Sequence, residues 1–224
     1  MRKTKIDTLI IVLLYLLMPL TLIGQESQWY EFELENVKVD FPTDEVFQLD
    51  TIVNGIRVNQ LYTQIGNSTL FLQKLPAESS SKGKELSSLP YDYKSLIEYY
   101  DGVIDGAKDS SSSEKVKNEE IKLGELIGYK SFFYKDQEKP LIESRTFLAG
   151  NDLIMLIVYN PEIELKEIKD AFFNSVNLDG LDSLEQYTGK SKAYRQGYVF
   201  GKLFFYAMFG VGIFFLIRTL RKKK

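Results

Sequence analysis

The amino-acid sequence predicts an α+β domain, helices packed on a largely antiparallel sheet, followed by one C-terminal transmembrane helix. Three observations carry this. Short runs alternate apolar and polar residues with a period of two, which places one face of a strand inward. Two stretches switch to helical spacing, one mid-chain and one after the last strand. A final apolar stretch, residues 197–217, carries a single charge, Lys202.

In chain order, Arg2, Lys3 and Lys5 precede an apolar run from Leu9 to Ile23, the layout of an export signal. Fifteen residues reach about 22 Å as a helix, short of a hydrocarbon core of about 30 Å. Residues 1–24 are therefore expected to be a signal peptide, with an uncleaved signal anchor as the alternative. Phe32 and Leu34 alternate with Glu31, Glu33 and Glu35, and Val37, Val39 and Phe41 with Lys38 and Asp40, until Pro42 ends the pattern. A meander follows, with strands over 46–53, 56–65 and 69–75. Asn54-Gly55 and Gly66-Asn67 punctuate it, residue pairs that tolerate the positive φ of tight hairpins.

Residues 77–89 are serine-rich and aperiodic, a loop. Tyr93, Leu96, Ile97, Tyr100, Val103, Ile104 and Ala107 then recur at three- and four-residue steps, one apolar stripe on a helix starting near Pro90. Strands are expected over 116–123, 128–134, 141–148 and 152–159, the last almost wholly apolar and hence central. Asn160-Pro161-Glu162 has the composition of a helix start with Asn160 as the cap, and that helix runs to about Phe173. Residues 175–178 add a short closing strand, and 179–196 form a polar linker.

The run 197–217 reaches about 31 Å as a helix, long enough to cross a bilayer, and the basic tail 218–224 stops transfer. The N-terminal signal orients the chain, so the domain over residues 28–178 is expected outside the cytoplasm and the C-terminus inside. Residues 26–189 hold 16 cations against 30 anions, a net of −14, which repels nucleic acid. The basic tail suits anionic lipid. With no cysteine and no histidine, disulfides, thiol chemistry and Ser-His-Asp catalysis are excluded. The missing disulfides suit a bacterial periplasm or outer surface better than a eukaryotic secreted domain.

"VKVDFP" from Val37, the meander, the helix after a serine-rich loop, "ESRTFLAGNDLIMLIVYNP" from Glu143 and "AFFNSVNL" from Ala171 together resemble the PsbP-like α/β/α sandwich family. The resemblance covers about residues 28–178. It implies a docking or accessory module rather than chemistry, and it brings no catalytic or ligand residue with it.

Candidate sites are few. Glu31, Glu33 and Glu35 read as a solvated row, and Asp101, Asp105 and Asp109 as a solvated helix face. Asn67-Ser68-Thr69 is a glycosylation acceptor on an expected turn, read as turn chemistry. Tyr93 and Tyr100 fall on the buried stripe, which leaves Tyr91 and Tyr99 as candidate partner-binding residues. Gly197 and Gly201 form a Gly-x-x-x-Gly pair suited to transmembrane packing, and Lys202 snorkels to the head groups. No cofactor and no metal site is expected. The function expected is a membrane-tethered, non-enzymatic binding or accessory module with an envelope protein partner. The alternatives are a hydrolase-type enzyme using a carboxylate or Ser-Lys site and an envelope sensor acting through a membrane partner.

Overall fold

The computed structural model describes residues 28–53, 56–77, 80–81, 84–85, 89–135, 139–161, 165–189, 197 and 199–204. The expected signal (1–24), the turn at Asn54-Gly55, most of the expected span and the basic tail lie outside them. A hairpin comes first, β1 (Tyr30–Leu34) and β2 (Val37–Phe41), followed by the meander β3 (Phe47–Val53), β4 (Ile56–Ile65) and β5 (Ser68–Pro76). A small pair, β6 (Ser80–Ser81) and β7 (Lys84–Glu85), precedes helix α1 (Tyr93–Ser111). The second meander is β8 (Lys115–Leu123), β9 (Leu126–Tyr134), β10 (Pro140–Ala149) and β11 (Asp152–Tyr159), and helix α2 (Lys166–Asn174) follows.

The two meanders merge into one seven-stranded sheet in the order β3-β4-β5-β11-β10-β9-β8, every neighbouring pair antiparallel. Strand β11 sits in the middle and is buried on both faces, which is why its sequence is a continuous apolar run. Alternation sorts the rest. Val58, Tyr62, Phe71, Leu75, Phe133, Leu153, Met155 and Ile157 point to the α1 face. Leu61, Leu70, Leu72, Phe147, Ile154, Leu156 and Val158 point to the other face, which the β1–β2 hairpin and α2 cover. Phe41 of the hairpin meets Phe172 of α2 at 5.3 Å between ring centroids. Burying an aromatic side chain of this size stabilises by about 1.5–3 kcal/mol, so Phe172 and Phe173 fasten α2. The architecture is antiparallel-sheet-rich with few helices and two covered faces, as expected.

Several local expectations are corrected. Asn160 does not cap a helix: at φ 52° it ends β11, donating its N–H to Leu141 O (2.7 Å) and its side-chain amide to Asn67 O (3.2 Å). Helix α2 starts at Lys166 with no side-chain cap. The closing strand forms, but as a single bridge from Asn177 to Lys38, extending the hairpin rather than the main sheet. Glu35 leaves the solvated row, because it and Asn36 form the β1–β2 turn at φ 46° and 70°. There its carboxylate accepts from Asn59 Nδ2 (3.0 Å) and its carbonyl from Lys74 Nζ (2.9 Å).

Helix α1 has a wider buried arc than the expected stripe. Leu96, Tyr100, Ile104 and Ala107 face the sheet, while Ser95, Tyr99, Gly102 and Gly106 form a second buried face. Phe200, Leu203 and Phe204 belong to the same core. Tyr99, expected outside, is therefore fully buried, and Tyr93, expected inside, is half exposed. Among the described residues no helix is long and apolar enough to cross a membrane.

Candidate functional site

The ends of β9 and β10 separate beyond the Phe147–Gly128 pair, leaving backbone groups of Ile127 and Leu148 without strand partners. Two side chains fill the split. Tyr100 donates its hydroxyl to Ile127 O (2.8 Å) and accepts from Leu148 N (2.9 Å). Gln186 acts as a detached peptide unit: its Oε1 accepts from Ile127 N (2.9 Å), and its Nε2 donates to Ile127 O and Leu148 O (both 2.8 Å). Both side chains are buried, so each bond closes a group that would otherwise sit unpaired in a low-dielectric interior. Burial above all raises the Tyr100 pKa, and the hydroxyl stays a neutral donor across physiological pH.

This polar plug fixes the segment expected to be a free linker. Besides Gln186, Glu185 O accepts from Gly150 N (2.8 Å) and Gly189 N donates to Pro90 O (3.0 Å). The chain over 179–189 therefore lies on the domain and encloses a groove of about 700 Å³. One wall is the β8–β9 turn, Leu123 to Leu126, where Gly124 takes φ 59°. The opposite wall is Val176 to Asp179, and Leu184 to Tyr187 form the lip.

The groove's chemistry is uneven. Glu125, Asp179 and Glu185 stand exposed around it, and among the described residues no lysine or arginine lines it. Leu184 and Tyr187 present apolar surface at 46% and 40% exposure. Tyr93 extends this rim, since Tyr187 is close enough to contribute to its raised pKa, though the largest cause is its hydrogen bond to Glu120 (2.6 Å). The result is an acidic, aromatic-edged groove with a rigid floor. Such a surface suits a cationic segment with apolar side chains.

The chain has a weak PsbP-like resemblance. The solution structure of cyanobacterial PsbP (CyanoP) from Synechocystis sp. PCC 6803 matches it with a TM-score of 0.42 at 12% sequence identity, covering 69% of this chain and 94% of that one. No family model and no curated protein matches the chain.

Of the residues singled out from sequence, Tyr91 is exposed at the start of α1, whereas Tyr99 is closed off in the core, its hydroxyl without a hydrogen-bond partner among the described residues. Gly197 and Gly201 lie against α1. Among the described residues no group of three or more potential ligands could hold a metal ion. Gln186, Tyr187, Glu125 and Glu185 were not singled out. A lone glutamine in a polar segment carries no periodic signal, and only the tertiary fold brings it to the split sheet.

Proposed function

We propose that this chain is a membrane-tethered, extracytoplasmic binding or accessory module, non-enzymatic, which holds a cationic and apolar segment of an envelope protein in the groove. The observation that carries this is the groove itself: three carboxylates and two exposed apolar side chains around a floor fixed by Gln186 and Tyr100. The antiparallel-sheet fold is compatible with such a role. A tether raises the effective concentration of a partner in the same membrane, so a modest interface suffices.

The test is binding of a short Lys- and Leu-rich peptide to the full chain in lipid nanodiscs, followed by fluorescence anisotropy. Glu125→Lys combined with Glu185→Lys should weaken binding roughly tenfold, and added salt should weaken wild-type binding. Tyr187→Ala should weaken it through lost apolar contact. Equal binding of an acidic analogue, or no response to charge reversal, would sink the assignment. The tether has its own test: a cytosol-only fluorescent reporter fused after Lys224 should light up, while external protease digests the domain.

A further inference from the structure

Gly197 and the helical residues 199–204 run along α1 in the same direction. A Cβ placed on Gly197 would strike the carbonyl oxygen of Tyr99 and come within 2.8 Å of Val103 N. One placed on Gly201 would strike the carbonyl oxygen of Val103, 2.6 Å from Ala107 N and 2.7 Å from Gly106 Cα. A four-residue step on one helix is matched by a four-residue step on the other, so the two are parallel and their backbones touch. Glycine is required on the moving side because no side chain fits between them. Phe200, Leu203 and Phe204 are buried in the core beside this seam.

The same residues open the only long apolar run in the C-terminal part of the sequence. From 197 to 217 it has 21 residues and reaches about 31 Å as a helix. If 197–204 stay on α1, the 13 residues from 205 to 217 reach about 20 Å, well short of a hydrocarbon core of about 30 Å. The domain core and the bilayer therefore compete for one stretch of chain.

We propose that residues 197–204 exchange between a docked state on α1 and a membrane-inserted state, and that bilayer thickness sets the balance. This rests on the membrane-tethered reading above. A thin bilayer is spanned by the later residues alone and leaves the seam closed. A thick one draws the glycine pair and Phe200 out of the domain, uncovering Val103 and the second face of α1. Among the described residues the buried Tyr99 hydroxyl has no hydrogen-bond partner, and its backbone carbonyl is the atom that a Cβ on Gly197 would strike.

The chain has no cysteine, so Val103→Cys introduces a single reporter at a buried position on α1. The full chain carrying it would be reconstituted in phosphatidylcholine vesicles with hydrocarbon cores of about 20 Å and about 30 Å. A membrane-impermeant maleimide then reads exposure. Labelling should be at least fivefold faster in the thicker bilayer, and adding Gly201→Leu, which bars docking, should make it fast in both. Equal, slow labelling in both bilayers, with the chain resistant to carbonate extraction, would leave the membrane reading intact and overturn the exchange. Release by carbonate would instead remove the membrane reading, and the exchange with it. Should Val103→Cys misfold, hydrogen exchange of the unmodified chain over residues 99–107 takes its place. Faster exchange in the thick bilayer supports the proposal, and identical exchange overturns it.

Discussion

The plug between β9 and β10 makes a quantitative demand on stability. Tyr100→Phe deletes one hydroxyl and leaves Leu148 N–H buried without an acceptor, while Ile127 O keeps its bond from Gln186. An orphaned buried donor costs about 1–3 kcal/mol, so about 2 kcal/mol is expected. Gln186→Ala removes four bonds, one of them a long one (3.3 Å) to the Tyr100 hydroxyl, but its site borders the groove and water replaces part of them, for about 2–4 kcal/mol. The two share the acceptor Ile127 O, which is orphaned only when both are gone. That orphaned acceptor outweighs the long bond from Gln186 Nε2 to the Tyr100 hydroxyl (3.3 Å), which either single already breaks, so the double variant should cost more than the sum of the singles, by roughly 0.5–1 kcal/mol. Urea unfolding of the full chain in detergent measures this, with a Tm drop of about 2–4 °C per kcal/mol as a cross-check. A Tyr100→Phe cost below about 0.5 kcal/mol, or a double variant no worse than the worse single, would show that the split sheet is closed by something else.

Other positions give independent tests. Gly128→Ala sets a methyl against the Phe147 ring and 2.6 Å from Thr146 O, an overpacking that should cost about 1–3 kcal/mol by urea unfolding. Lys169→Ala removes the closest partner of buried Glu143 and leaves Lys130 at 3.9 Å, so about 3 kcal/mol should be lost; Lys169→Met with Glu143→Leu should recover most of it. At high pH, burial first and neighbouring acidic groups second push Tyr129 up to about 12. A raised folded-state pKa means this stability is complete below the ordinary value of 10.0 and is lost as pH rises toward 12. Tyr129→Phe should flatten that part of an alkaline unfolding curve.

The architecture was largely legible because its signals are local. Alternation in 37–41 and the apolar run 152–159 each report one strand's burial directly, whereas 56–65 and 69–75 bury polar residues such as Gln60 and Gln73 as well. The turn at Gly66-Asn67 was legible, while the one at Glu35-Asn36 was missed because no glycine marks it and Glu35 continues the alternation of β1. Asn160 misled for a related reason, since a residue that favours helix caps favours any left-handed or turn position. The groove was not legible at all. Its floor depends on Gln186 reaching β9, 59 residues earlier in sequence, and its lip on a polar segment with the composition of a linker.

Tyr99 shows why periodicity stops short at the other end of the molecule. A single apolar stripe fixes one face of α1, and the stripe through Leu96, Tyr100 and Ala107 does face the sheet. The second face includes Ser95, Gly102 and Gly106, residues without hydrophobic signal, and a Cβ on Gly201 would come within 2.7 Å of Gly106 Cα. Its partner, residues 197–204, carries a signal that is strong but shared: phenylalanine, leucine and a four-residue glycine spacing serve a buried helix pair and a membrane span equally well. Hydropathy measures the preference of these residues for leaving water, and both the domain core and the bilayer satisfy it. In this structure the domain core holds Phe200, Leu203 and Phe204, with two glycines that meet α1 without a side chain between, and under the exchange proposed above the length left over, 13 apolar residues or 21, sets which of the two prevails.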